Sequence, residues 1–221
     1  MPPHAGSFVA YGARGPVRHL ISTHREPLPL LPPRPSPPRP SPLPGHVTDL
    51  LVLCTGNAAR SVMAGFMLDH LKGDRPDATL QVVTAGTHTI DGQPMGRRTR
   101  SALSTIPELA NTALGGHRSR QVYEKDLLRV DLVVAMEADH VRFVRREFPW
   151  AADRTATIRR LCEDLPSAPP ALAQRVAGLT LAEAPLSNDE DVIDPAGGDD
   201  ARYVACVAEL WVLCQKLVML L

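Results

Sequence analysis

The sequence predicts a three-layer α/β fold around a four-stranded parallel sheet. Continuous apolar runs too short for helices recur along the chain, as expected of strands covered on both faces. Between them lie segments with helical spacing, so strand and helix alternate from residue 47 to the end.

Asp49–Cys54 is the first such run, followed by a short loop and a helix from Ser61 to Lys72 that stops at Gly73. Thr79–Ala85 reads as the second strand and Met95–Ser104 as a helix. A loop at Gly115-Gly116 precedes a short helix over Ser119–Leu128. Val130–Met136 is a third buried strand, and Glu137–Phe148 a basic amphipathic helix ended by Pro149. Ala156–Leu161 is a weaker fourth strand. The Pro- and Asp-rich stretch 163–193 reads as an extended loop or lid with a short helix at Ala171–Gly178. A long helix over Asp200–Leu220 closes the chain, with Val204, Val207, Trp211, Cys214 and Val218 along one stripe.

Composition divides the chain at residue 46. Of 22 prolines, 13 precede that point, and the formal net charge of zero is the sum of a +4 N-terminal part and a −4 remainder. Such a density of proline removes backbone donors and fixes φ, which favours extended polyproline II over a packed core. Residues 1–46 are therefore expected to be a disordered tail, either passive or upstream sequence read through from a true start at Val47. A docking role for its Pro-Arg pieces is the alternative. It lacks the apolar core of a signal peptide, and no stretch of 18 apolar residues suggests a membrane partner. Four cysteines without a C-x-x-C pair fit a reducing cytoplasm. A near-neutral domain with 4% aromatics lacks the stacking platform of a nucleic-acid binder.

Parallel sheets bind ligands beyond the carboxyl ends of their strands. There the first strand runs into Cys54-Thr-Gly-Asn-Ala-Ala-Arg60-Ser61. The short residues Thr55, Gly56, Asn57, Ala58 and Ala59 can wrap with successive N–H groups inward, a nest for phosphate oxygens. The helix that follows points its positive end at the same place. Arg60 offers a fork of donors, and Ser61 a hydroxyl to hold Cys54 as a thiolate. A thiolate beneath a phosphoryl group is a nucleophile; Asp194-Pro195 is the candidate acid for the leaving oxygen. A lone cysteine at a strand end is usually a small buried hydrophobe. The glycine, the arginine and the helix start around this one favour the chemical reading.

With these residues the chain resembles the low-molecular-weight protein tyrosine phosphatases. The likeness rests on Val52–Ala64, Thr84-Ala-Gly-Thr87, His117-Arg-Ser-Arg-Gln121, Asp131–Met136 and Asp194-Pro-Ala-Gly-Gly198, in order over residues 48–221. It implies Cys54 as nucleophile, Arg60 as phosphoryl clamp and Asp194 as acid then base. Asn57 is implied to brace the loop with His117 behind it, and Ser61 to stabilise the thiolate. It implies a phosphocysteine intermediate with neither metal nor cofactor, acting on a phosphorylated protein side chain or a small phosphoester. Ala59 stands where most members have a second cysteine, so the usual protective disulfide is not expected. Val62 replaces a common proline, and Ala196 the aromatic that walls many tyrosine phosphatase sites. Ala58 stands where tyrosine phosphatases tend to carry Ile and arginine phosphatases Thr. An arsenate reductase using a low-molecular-weight thiol, which needs only Cys54, and a phosphate-binding module without turnover are the alternatives. The thioredoxin-coupled reductases need two further cysteines at about 124–134, where this chain has none.

Overall fold

The computed structural model describes residues 48–74 and 80–221; the Pro-rich segment 1–46 lies outside them. Four strands, β1 (Thr48–Cys54), β2 (Leu80–Gly86), β3 (Leu132–Ala135) and β4 (Thr155–Thr157), form one parallel sheet in the order β2-β1-β3-β4. The chain steps from β1 outward to β2, then crosses back to β3. The loops after β1 and β3 thus diverge at a switch point.

Side chains alternate across a strand, and β1 divides its residues between two cores. Leu50 and Val52 face a cluster with Val62, Met63 and Met67 of α1 (Arg60–Leu71) and Leu210, Cys214 and Leu217 of α7 (Asp200–Leu220). Leu51 and Leu53 face a smaller cluster with Val133 and with Val144 of helix Ala138–Glu147. All four of these β1 residues have no exposure, so the strand that carries the site is enclosed on both faces. The remaining helices are α2 (Arg97–Leu103), α3 (Glu124–Leu127), α4 (the Ala138–Glu147 helix), α5 (Ile158–Asp164) and α6 (Leu172–Ala177).

Three expectations change. The helix expected over Ser119–Leu128 is only α3. Before it, Gly86 N donates to Arg120 O and Val122 N to Gly86 O, a short extended pairing at the end of β2. Tyr123 N then donates to Asp126 Oδ2, which starts the helix one residue later. The fourth strand ends at Thr157, whose hydroxyl accepts from Arg160 N and caps α5. What reads as the rest of a strand is helix. On α7, Val207, Cys214 and Val218 of the expected stripe are buried together with Cys206, Leu210 and Leu217, while Val204 is 42% exposed. By length and hydropathy α7 matches a membrane-spanning helix; here its apolar stripe packs on α1, α2 and α5.

Between α5 and α7 the chain is anchored by arginines. Buried Arg175 of α6 donates to Pro166 O (3.1 Å), to Leu221 O (3.2 Å) and to Leu220 O. Arg145 reaches Leu181 O and Ala184 O, and Arg160 pairs with Glu190. Val192 N donates to Met136 O at 2.8 Å, which fastens the segment to the end of β3 two residues before Asp194.

The packing of α7 predicts unequal costs along its length. Leu210→Ala should lower stability by about 2–5 kcal/mol by opening a cavity. Val204→Ala should stay within about 0.5 kcal/mol. Denaturant midpoints of the two variants check this directly.

Candidate active site

Loop 54–59 turns its carbonyl oxygens away from its own centre, and each meets a separate donor. Cys54 O accepts from Thr87 N and Thr55 O from His88 N, both at 2.9 Å. Gly56 O accepts from Thr89 Oγ1 (2.7 Å), Asn57 O from His117 Nε2 (3.0 Å) and Ala58 O from Thr99 Oγ1 (3.0 Å). Ala59 O accepts from Met63 N inside α1. With the carbonyls held outward, this is the arrangement in which backbone N–H groups face inward and cradle an anion.

Asn57 makes the wrap possible. Its φ of 47° is left-handed, tolerated by asparagine better than by most residues. Its side chain donates to Thr84 Oγ1 (2.9 Å) and Ser61 Oγ (3.0 Å) and accepts from Arg120 N (3.0 Å). Because Ser61 Oγ accepts that bond, its own proton is left to turn toward Cys54 Sγ, 2.9 Å away. Cys54 is 3% exposed at the end of β1. The loop also needs Gly86 beside it: a Cβ there would stand 2.5 Å from Thr55 O and 3.0 Å from Asn57 N.

Arg60, at the first turn of α1, is 2% exposed. Nη1 donates to Glu137 Oε1 and to Val192 O (3.2 Å). Nη2 donates to Asp194 Oδ2 at 2.9 Å. Asp194 is further set by Ala196 N on Oδ1 and by Arg202 Nε on its own carbonyl, both at 3.0 Å. Beyond it Pro195–Gly198 closes a turn, with Gly197 at φ 78°. A cleft of about 310 Å³ opens over the loop; Cys54, Arg60, Asp194, Ala196, Thr99 and Tyr203 are among its walls.

The sequence profile of the family described as "Low molecular weight phosphotyrosine protein phosphatase" matches residues 49–221. The chain belongs to this family. Two curated relatives, from Geobacillus stearothermophilus and Bacillus subtilis (strain 168), are named protein-arginine-phosphatase. They are 28% and 27% identical over 170 and 169 residues, covering 76% of this chain and 92% and 93% of theirs. A low molecular weight protein tyrosine phosphatase from T. tengcongensis superposes with a TM-score of 0.59 at 25% identity, over 77% of this chain and 97% of that one.

In this phosphatase the geometry brings all the sequence-derived candidates together. Cys54, Asn57, Ser61 and His117 form one hydrogen-bonded unit, and Asp194 stands across the same cleft. Burial lowers the His117 pKa, so the ring is neutral near pH 7 while Nε2 remains the donor to the loop. Four residues had no motif to mark them: Thr89, Thr99, Glu137 and His140. The two threonines hold loop carbonyls. Glu137 follows β3 and reaches Arg60 across the switch point. His140 Nε2 lies 2.9 Å from Thr55 Oγ1 and 3.4 Å from Glu137 Oε2. Only the position of Glu137, just past a buried parallel strand, offered a signal. Tyr203 supplies the cleft with an aromatic ring where Ala196 cannot.

Two outcomes follow from this packing. Gly86→Ala presses on the loop backbone and should lower kcat/KM for an aryl phosphate by about 10²-fold, measured by steady-state kinetics. His140, faced by Arg60, Glu137, Asp139 and His88, has its pKa depressed from 6.5 to about 3, by burial first and then by Arg60. The unfolded chain therefore takes up the proton first. Its contribution to native stability is complete above about pH 6.5 and falls by about 1.4 kcal/mol per unit as pH drops toward 3. Urea unfolding at pH 7.5 and 5.0 should show a loss in the wild type that is about 1–2 kcal/mol smaller in His140→Gln.

Proposed function

We propose that the protein is a metal-independent phosphoprotein phosphatase of the cytoplasm that works through a phosphocysteine intermediate. The observation that carries the reading is the juxtaposition of a serine-solvated Cys54, an anion cradle with its carbonyls turned outward, and Asp194 on the opposite wall.

The phosphoryl dianion enters the cradle and takes donors from loop N–H groups and Arg60. Cys54 Sγ attacks phosphorus in line, the S–P bond forms, and the bond to the leaving group breaks. Asp194, released from Arg60 as the dianion takes over that guanidinium, takes up a proton from solvent and delivers it to the departing atom. It then removes a proton from water, which attacks phosphorus; the S–P bond breaks and inorganic phosphate leaves. Glu137 stays on Nη1 and keeps the guanidinium plane in register with the cradle.

The substrate is a phosphorylated side chain, with phosphotyrosine and phosphoarginine as the two classes to separate. The family description and the ring of Tyr203 favour the first. The two curated relatives favour the second, as does a cleft narrowed by neither Ala58 nor Ala196. Arsenate reduction of the thioredoxin-coupled type is disfavoured because the other thiols are ill suited to relay electrons. Burial pushes Cys162 up to about 11 and Cys206 to about 12, and Cys214 higher.

Protein assayed in EDTA should hydrolyse aryl phosphate, and Cys54→Ser should abolish turnover. Asp194→Ala should slow poor leaving groups far more than good ones, because only the former need the proton. Equal slowing would remove Asp194 from the role. Thiol-dependent arsenate turnover without hydrolysis of any phosphoester or phosphoramidate would sink the reading. Matched phosphotyrosine and phosphoarginine peptides decide the class.

A further inference from the structure

On the other side of Thr55 lies a second cleft, of about 380 Å³, that the chemistry above does not use. It opens at the carboxyl ends of β1, β2 and β3, where parallel sheets take ligands. Thr55 and Glu137 form its inner wall, His88 and Phe143 its aromatic floor, and Arg142 and Arg146 of α4 its rim. The rings of His88 and Phe143 meet edge to face at 5.6 Å. Thr55, an exposed residue, lines both clefts and so stands at the boundary they share.

The hydrogen bonds around Thr55 fix where its proton goes. His140 Nε2 sits 2.9 Å from Thr55 Oγ1 and 3.4 Å from Glu137 Oε2. A bare Nε2 would set its lone pair against the carboxylate, so Nε2 carries the hydrogen; buried Nδ1, which has no partner among the described residues, is the bare nitrogen. Thr55 Oγ1 then accepts from His140, and from Arg60 Nη2 at 3.5 Å. Its own proton is left to point into the open space between the clefts, as a donor to an acceptor outside the protein.

Charge at the rim selects among acceptors. The Glu137 carboxylate is taken up by buried Arg60. That leaves two arginines with side chains 44% and 65% exposed, each paired with one exposed carboxylate, Asp139 and Glu147. Arg142 gives Nη1 to Asp139, and Arg146 gives Nε to Glu147 while its guanidinium lies 5.8 Å over the Phe143 ring. Arg146 thus lines the cleft with Nε committed to Glu147, and its two outer nitrogens form the fork that suits a carboxylate.

We propose that this second cleft receives the peptide beside the phosphorylated residue, Thr55 donating to a backbone carbonyl while Arg142 and Arg146 select an acidic neighbour. The proposal rests on the phosphoprotein reading and adds to it a preference for sequence context. The gain is modest and salt-sensitive, because the rim is exposed and screened.

The test uses phosphopeptides identical except for one flanking residue, Asp, Ala, Lys or Phe, beside an aryl phosphate with no peptide. The acidic peptide should exceed the alanine peptide in kcat/KM by about three- to fivefold at low salt. Arg146→Glu and Arg142→Glu should each abolish or invert that order and leave aryl phosphate turnover unchanged. Thr55→Val should cost the acidic peptide several-fold more than the aryl phosphate. Equal rates for all peptides, a preference for Phe, or an order untouched by both charge reversals overturns the proposal. Aryl phosphate turnover in the same preparations keeps the two readings apart. If it is present while the flanking residue has no effect, the cleft is not a subsite and the phosphatase reading stands. If no phosphoester is turned over, the phosphatase reading itself fails.

Discussion

Everything at this site depends on where six carbonyl oxygens point. A loop of six residues has as many acceptors as donors, and an anion is repelled by the first and held by the second. The protein resolves the conflict by giving each carbonyl from Cys54 to Ala59 an outside partner. The partners come from the loop after β2, from α2, from the Gly116–Ser119 turn and from α1 itself. The cradle is thus a property of its surroundings, and four separate segments must arrive before it exists. Close approach is part of the same constraint, since Gly86 touches the loop where no Cβ fits.

The second dependence is electrostatic. Arg60 is nearly fully buried, a position a guanidinium holds only when paired. Glu137 and Asp194 both pair with it, and they differ in burial. Glu137 comes directly off β3 and is 23% exposed; Asp194 hangs from a turn and is 41% exposed. An incoming dianion would displace the partner that is easier to rehydrate, which is Asp194, the group proposed above to act at the leaving atom. The long segment before Asp194 supports this division of labour. Its arginine anchors and the Val192–Met136 bond fix the chain up to position 192, so only the turn that bears the carboxylate projects into the cleft.

The order of strands, the loop after β1 and the final helix were legible in the sequence because each is written in local pattern. Asp49–Cys54 is a continuous apolar run; Cys54–Ser61 combines a nucleophile, short residues and a helix start. What was not legible is encoded by contact. Thr89 and Thr99 look like any surface threonine until a loop carbonyl is found opposite each. Residues 119–123 read as helix because their pairing partner, Gly86, is more than 30 residues away. Thr157 reads as strand in a β-branched context and acts as a cap, a choice decided by whether its hydroxyl finds Arg160 N. Val204 falls on the wrong side of α7 because apolar residues occupy more of that helix than one neighbour can cover.

The departures from the usual family pattern fall where the cradle does not need a side chain. Ala59 contributes a carbonyl that α1 satisfies and a methyl that packs on the core, so a thiol there is not required for shape. Ala58 contributes its carbonyl to Thr99, and its side chain is exposed toward the cleft. Asn57, Ser61, Thr99 and His117 act instead through their side chains, and each is tied to the loop by a bond that no alanine could make. On the proposed reading, anion affinity is therefore separable from selectivity: the donors to phosphate would come from backbone and from Arg60, while the residues facing the rest of the substrate would be small or lie on the rim. The −4 charge of the domain bears little on either, since a charge beyond about 10 Å is largely screened while the cradle acts at contact distance.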